Sequence, residues 1–125
     1  MEQYLINHCA PTLASLKTAN LFNYSFASEY ELEAQLLHLN TLLAVKGVSL
    51  TIIRKTADSA LIYVYRSRKL ALDLANKTAS CMLKKLGYTD LSPESAIAHL
   101  AERINRTGDF PHEIGLFLGY PPGDV

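Results

Sequence analysis

No excess charge of either sign marks this 125-residue chain: twelve lysines and arginines balance twelve aspartates and glutamates, a formal net charge of zero. Nonspecific nucleic-acid affinity comes mainly from neutralising phosphates, so this balance argues against that class of partner. Long apolar runs are also missing. No window approaches the roughly 20 apolar residues that span a bilayer. The N-terminal MEQYLINHCAPTLASLK carries an acid early and no cationic start ahead of an apolar stretch, so it does not read as a secretory signal. The expected location is the cytoplasm, with neither membrane nor nucleic acid among the partners. Cysteine is scarce: Cys9 and Cys81 stand far apart, which favours free thiols over a disulfide. No CxxC pair, HExxH, GxSxG, phosphate-binding glycine loop or dinucleotide fingerprint occurs, which removes the common catalytic signatures.

Apolar residues make up 49% of the chain and charged residues 19%, with no biased tract, so a packed globule is expected rather than disorder. No repeat and no linker rich in proline, glycine or serine divides it, so one domain over residues 1–125 is expected. Ser28 and Glu31 form a capping-box pattern ahead of a helix whose buried stripe is Leu32, Leu36, Leu39 and Leu43, closed by Lys46 and Gly47. GVSLTIIRK and ALIYVYR then read as a β-hairpin over about 48–55 and 60–66. The second strand is apolar on both faces, Leu61, Tyr63 and Tyr65 on one and Ile62 and Val64 on the other. It should therefore be covered on both sides or have a further neighbour.

Residues 67–86 predict one long helix with an inner face of Leu70, Leu74, Thr78 and Cys81. Another starts at Ser92 and Pro93, presents Ile97, Leu100, Ala101 and Ile104, and ends at Gly108. Before Ser28, Pro11 should break an early helix and Thr12 should cap a second, running through Leu13, Leu16 and Leu21. The fold class is then α+β, with four to six helices around a small antiparallel sheet.

Two short motifs carry candidate chemistry. In DFPHEIGLFLG, Pro111 suits a first helical position and puts His112 and Glu113 in the first turn. Glu113 is accounted for by the helix dipole or a reach back to the cap. A cation is disfavoured at that end, which would keep His112 neutral, the form that ligates metal or accepts a proton. Gly115 and Gly119 lie four apart and predict a smooth stripe for close helix packing or a flat ligand. In NHCAPT, Cys9 beside His8 and a helix start could carry a lowered pKa, opening thiolate chemistry, or could be a buried small hydrophobe. If the two motifs meet, His8, Cys9, His112 and Glu113 supply nitrogen, sulfur and oxygen ligands suited to zinc or iron.

Weaker candidates remain. His38 and His99 should face solvent and Cys81 should lie in the core. Tyr65, Arg66, Arg68 and Lys69, at a strand-to-helix junction, could hold a phosphate or carboxylate or simply be solvated.

Taken together, HCAPTLASLKTANLF, IYVYR and FPHEIGLFLGYPPGDV resemble the bacterial family Domain of Unknown Function 3793, found mostly in anaerobic Firmicutes, over essentially the whole chain. The resemblance implies no activity, cofactor or catalytic residue. It directs attention to the segments around His8, Cys9, Thr12 and Lys17 and around Pro111, His112, Glu113, Gly115 and Gly119. The resemblance implies a continuation past PPGDV with a strand and cysteines, and by that expectation this chain would be a short member or a truncated one. Loss of that strand would open a sheet edge and favour a homodimer through it.

Three functions fit these readings. The first is a ligand-, metal- or cofactor-binding or redox-associated protein with its site between His8-Cys9 and His112-Glu113. The second is an interaction module whose motifs only pack. The third is an enzyme with Cys9 as nucleophile, His8 or His112 as base, and Lys17 stabilising negative charge.

Overall fold

The computed structural model describes all residues 1–125. A three-stranded antiparallel sheet in the order β1-β3-β2 carries helices on both faces, the α+β class expected. The strands are β1 (Ala19–Ser25), β2 (Val48–Lys55) and β3 (Ser59–Arg66). The helices are α1 (Glu2–Leu13), α2 (Glu29–Leu43), α3 (Ser67–Ala75), α4 (Lys77–Lys85), α5 (Pro93–Thr107) and α6 (Ile114–Phe117). No helix is long and apolar enough to cross a membrane.

The predicted hairpin is present, and the doubly apolar β3 is the central strand. Its alternation sorts the core into two halves. Ala60, Ile62 and Val64 face one cluster with Leu5, Cys9, Phe22, Leu32 and Leu39, so α1 and α2 cover that side. Leu61 and Tyr63 face the other, with Leu70, Leu74, Leu83, Leu100, Ile104 and Phe117 from α3 to α6. Strand β2 serves both: its register shifts between Ile52 and Arg54, and the bulged Ile53 turns into the second cluster.

Helix α2 forms as its signals predict. The Ser28 hydroxyl accepts from the Glu31 amide at 3.3 Å, and Gly47 takes a left-handed φ of 75° after a single 3₁₀ turn. Helix α5 likewise ends at Gly108 with φ 79°.

Two expectations fail for identifiable reasons. Pro11 does not end the first helix but kinks it at Cys9 (φ −122°, ψ 16°), because proline cannot donate to the preceding turn. No second helix then follows from Thr12 through Leu21. The chain turns at Ser15 (φ 62°), and Leu21 lies in β1, paired opposite Tyr63. The long helix over 67–86 is also two. The Asn76 side chain accepts from the Thr78 and Ala79 amides, ending α3 and capping α4. The new phase buries Ala79 and Leu83, leaving Thr78 and Cys81 exposed instead of core.

Arg66 is a tie rather than an anion receptor. Its Nε donates to the Thr12 carbonyl at 2.7 Å, Nη2 to Leu13 at 2.8 Å and Nη1 to Lys46 at 2.7 Å. One guanidinium fork thus satisfies carbonyls at the ends of α1 and of the turn after α2.

Candidate functional site

The two histidine motifs share a layout: in each, the histidine is exposed and the next residue is buried. At the first, the kink in α1 turns Cys9 into the cluster beneath α1. Burial pushes the thiol up to about 11, against the partial opposition of Lys17. A nucleophile or soft-metal ligand needs the thiolate, so this environment works against both roles. His8 lies flat against Phe22, ring centroids 6.3 Å apart and planes 12° apart, and beside Tyr4 at 5.8 Å.

At the second motif, Pro111 to Glu113 form a turn ahead of α6, which spans only four residues. Glu113 makes no capping bond there. Its carboxylate is 1% exposed and is shared by two partners from other elements. The Tyr88 hydroxyl donates to Oε2 at 3.0 Å, and Arg103 Nη2 donates to Oε1 at 3.3 Å. Arg103 Nε closes on Oε2 as an ion pair, without the alignment of a hydrogen bond. Tyr88 is held well above the usual phenol range, first by burial and then by the charge and hydrogen bond of Glu113. It stays a phenol and acts as a donor. His99 packs over that ring at 4.2 Å and is half-buried, not solvent-facing as expected; His38 is exposed.

The sheet keeps the two motifs apart. Cys9 lies in the α1 and α2 cluster, whereas Tyr88, the partner of Glu113, lies in the opposite one. His8, Cys9, His112 and Glu113 therefore do not assemble the expected metal set. No group of three or more His, Cys, Asp or Glu is placed to hold a metal ion.

The flanks of the two motifs meet one step further along. Lys17 Nζ lies 5.3 Å from the Tyr120 ring centroid, and Gly119 (φ 92°) sits so close to Thr18 that a Cβ would fall 2.9 Å from the Thr18 Cβ. Gly115 faces Val125 instead, at 3.0 Å from such a Cβ, so the glycines allow two different close approaches rather than one stripe. The Thr18 hydroxyl donates to Asp73, fixing this seam to α3.

Beside Glu113 a groove of about 420 Å³ runs between the end of α5 and the DFPHE turn. Its lining includes Arg103, Arg106, Asp109, Phe110 and His112. Arg103 Nη1 has no protein partner, and Phe110 is 55% exposed. A larger depression of about 590 Å³ lies between the start of α1 and α2, but none of its charged groups, Glu2, Glu31 and His38, is buried. The smaller groove is the better site, because one of its walls is fixed by a buried carboxylate.

Sequence reasoning reached His112 and Glu113 but missed Tyr88, Arg103, Arg106 and Phe110. A signal existed for Arg103: it precedes Ile104 on α5, flanking the apolar stripe, where a long side chain can be drawn inward. No curated protein and no solved structure matches the chain. Residues 5–125 match the model of the family described as a protein of unknown function (DUF3793), and the chain belongs to that family.

Proposed function

We propose that the protein binds a small organic anion in the groove of Arg103, Arg106, Phe110 and His112. The supporting observation is the commitment of a buried carboxylate, Glu113, to a single arginine. For stability alone the pair is a poor choice, since well-packed hydrophobic groups in place of a buried ion pair are often neutral or stabilising by about 1–4 kcal/mol. What the pair supplies is orientation. Glu113 occupies Nε and Nη2, fixing the planar guanidinium and leaving Nη1 for a ligand.

Arg106 adds a second cation, while Asp109 disfavours negative charge at its own end of the groove. The exposed Phe110 ring offers a face for a flat apolar body. The ligand class that fits is an aromatic carboxylate. Neither a metal nor a redox thiol is part of this reading.

Titration calorimetry with a set of aromatic carboxylates tests it. Binding should weaken about tenfold in Arg106→Ala, the loss expected for one charge-assisted contact, with the circular dichroism spectrum unchanged. Wild-type affinity retained in both Arg106→Ala and Phe110→Ala, or no binding by any carboxylate, would sink the proposal.

A further inference from the structure

The sheet has two edges, and they are treated differently. On β2, the outward backbone groups of Leu50 are occupied by one side chain: its amide donates to Asn40 Oδ1 at 2.7 Å, and its carbonyl accepts from Asn40 Nδ2 at 3.0 Å. Asn105 Nδ2 takes the Ile53 carbonyl at 3.1 Å, the bulge disrupts the edge at that point, and Arg54 and Lys55 follow. These are the devices by which proteins keep a foreign strand off an edge.

Strand β1 has none of them. Arg66 donates to the Thr18 carbonyl at 2.9 Å and Phe26 donates to the Asp58 carbonyl at 3.0 Å, so even-numbered residues from 18 to 26 turn their backbone groups toward β3. Odd-numbered residues turn theirs outward. Those of Leu21 and Asn23 have no hydrogen-bond partner on that side, and Asn23 is exposed. The sequence ANLFNYS holds no charge, no proline and no bulge.

We infer that β1 pairs antiparallel with β1 of a second copy, joining two three-stranded sheets into one of six strands. Self-complementarity selects this occupant. Phe22 is the midpoint of Ala19–Ser25 and an inward-bonding position, so a two-fold axis beside it sets Leu21 opposite the partner's Asn23. Outward groups then meet outward groups on both sides of the axis. Other symmetric registers leave part of the strand unpaired.

Side chains agree with the backbone. Tyr4 and His8 of α1 stand over Phe22 and Tyr24, with Tyr4 ring centroids 5.9 and 5.1 Å from those two, and Tyr4 is 38% exposed. Across the axis this aromatic margin would face its own copy. With no charge in β1 and a net charge of zero, no like-charge repulsion opposes the pairing.

Sedimentation velocity over micromolar to sub-millimolar protein, with amide hydrogen exchange, tests the inference. The expected result is a species of twice the 13.8 kDa chain mass, with the Leu21 and Asn23 amides protected. Asn23→Pro removes only an outward N–H and Asn23→Lys places a charge at the seam, so each should return the protein to monomer with its circular dichroism spectrum retained. A wild-type monomer with fast exchange at Leu21 and Asn23 overturns the inference. So does a dimer that persists in both folded variants, which would place the interface elsewhere. Neither result bears on the groove at Arg106.

Discussion

Cys9 and Glu113 are the same design carried out with opposite chemistry. Each follows an exposed histidine and is turned inward beside a proline, and each is an ionisable group removed from water. Cys9 solves the problem by staying neutral: its surroundings are apolar and its pKa rises to about 11. Glu113 is matched with Arg103 and Tyr88. An inward-facing ionisable residue therefore does not reveal a reactive site by itself. What matters is whether the protein has built a partner for it, because only the partnered group holds another side chain in place.

The sharpest way to break the comparison is to remove the partner. Arg103→Ala should destabilise the fold by about 3–5 kcal/mol in urea, because Glu113 is left buried and uncompensated. Arg103→Met with Glu113→Leu should recover most of that loss. Equal losses in the single and double variants would mean that packing, not charge, dominates the site.

The seam linking the two flanks comes next. Gly119→Ala meets both a left-handed φ and the Thr18 side chain at 2.9 Å, so a loss of about 1–3 kcal/mol is expected by thermal denaturation. Gly123→Ala, with nothing within 4 Å, is the control and should stay within about 0.5 kcal/mol.

The smallest effect belongs to Cys9. Its folded pKa lies above the ordinary thiol value of 9.0, so its contribution is fully present below pH 9 and is lost as pH rises from about 9 through about 11. Stability measured across that window should fall more steeply in the wild type than in Cys9→Ala. In the native protein at neutral pH, iodoacetamide should label the exposed Cys81 and leave Cys9 unmodified until the chain unfolds.

The readable parts of this fold are those fixed within a few residues. Ser28 and Glu31 announce α2, Gly47 and Gly108 end their helices, and β3 declares its central place by being apolar on both faces. Strand β1 was not readable because Leu13, Leu16 and Leu21 mimic helical spacing. ANLFNYS becomes a strand through its pairing with a segment some 40 residues later. The break at Asn76 left a weak mark, an asparagine that can cap, inside a run whose apolar period continues through it. Of the site, the sequence showed which motifs to inspect but not their partners. Tyr88 and Arg103 reach Glu113 across three elements, and no local pattern encodes that meeting.

Arg66 carries a consequence for how the molecule comes apart. Its fork joins the end of the N-terminal helix to a turn 20 residues upstream and to the middle strand on which it sits. A terminal helix ordinarily frays alone, at little cost. Here the end of α1 is pinned at its inner side, so it cannot peel away without releasing two carbonyl bonds, at Thr12 and Leu13, from the central strand. Its opening is thereby coupled to the sheet, and the first helix of the chain is among the parts least free to unfold by itself.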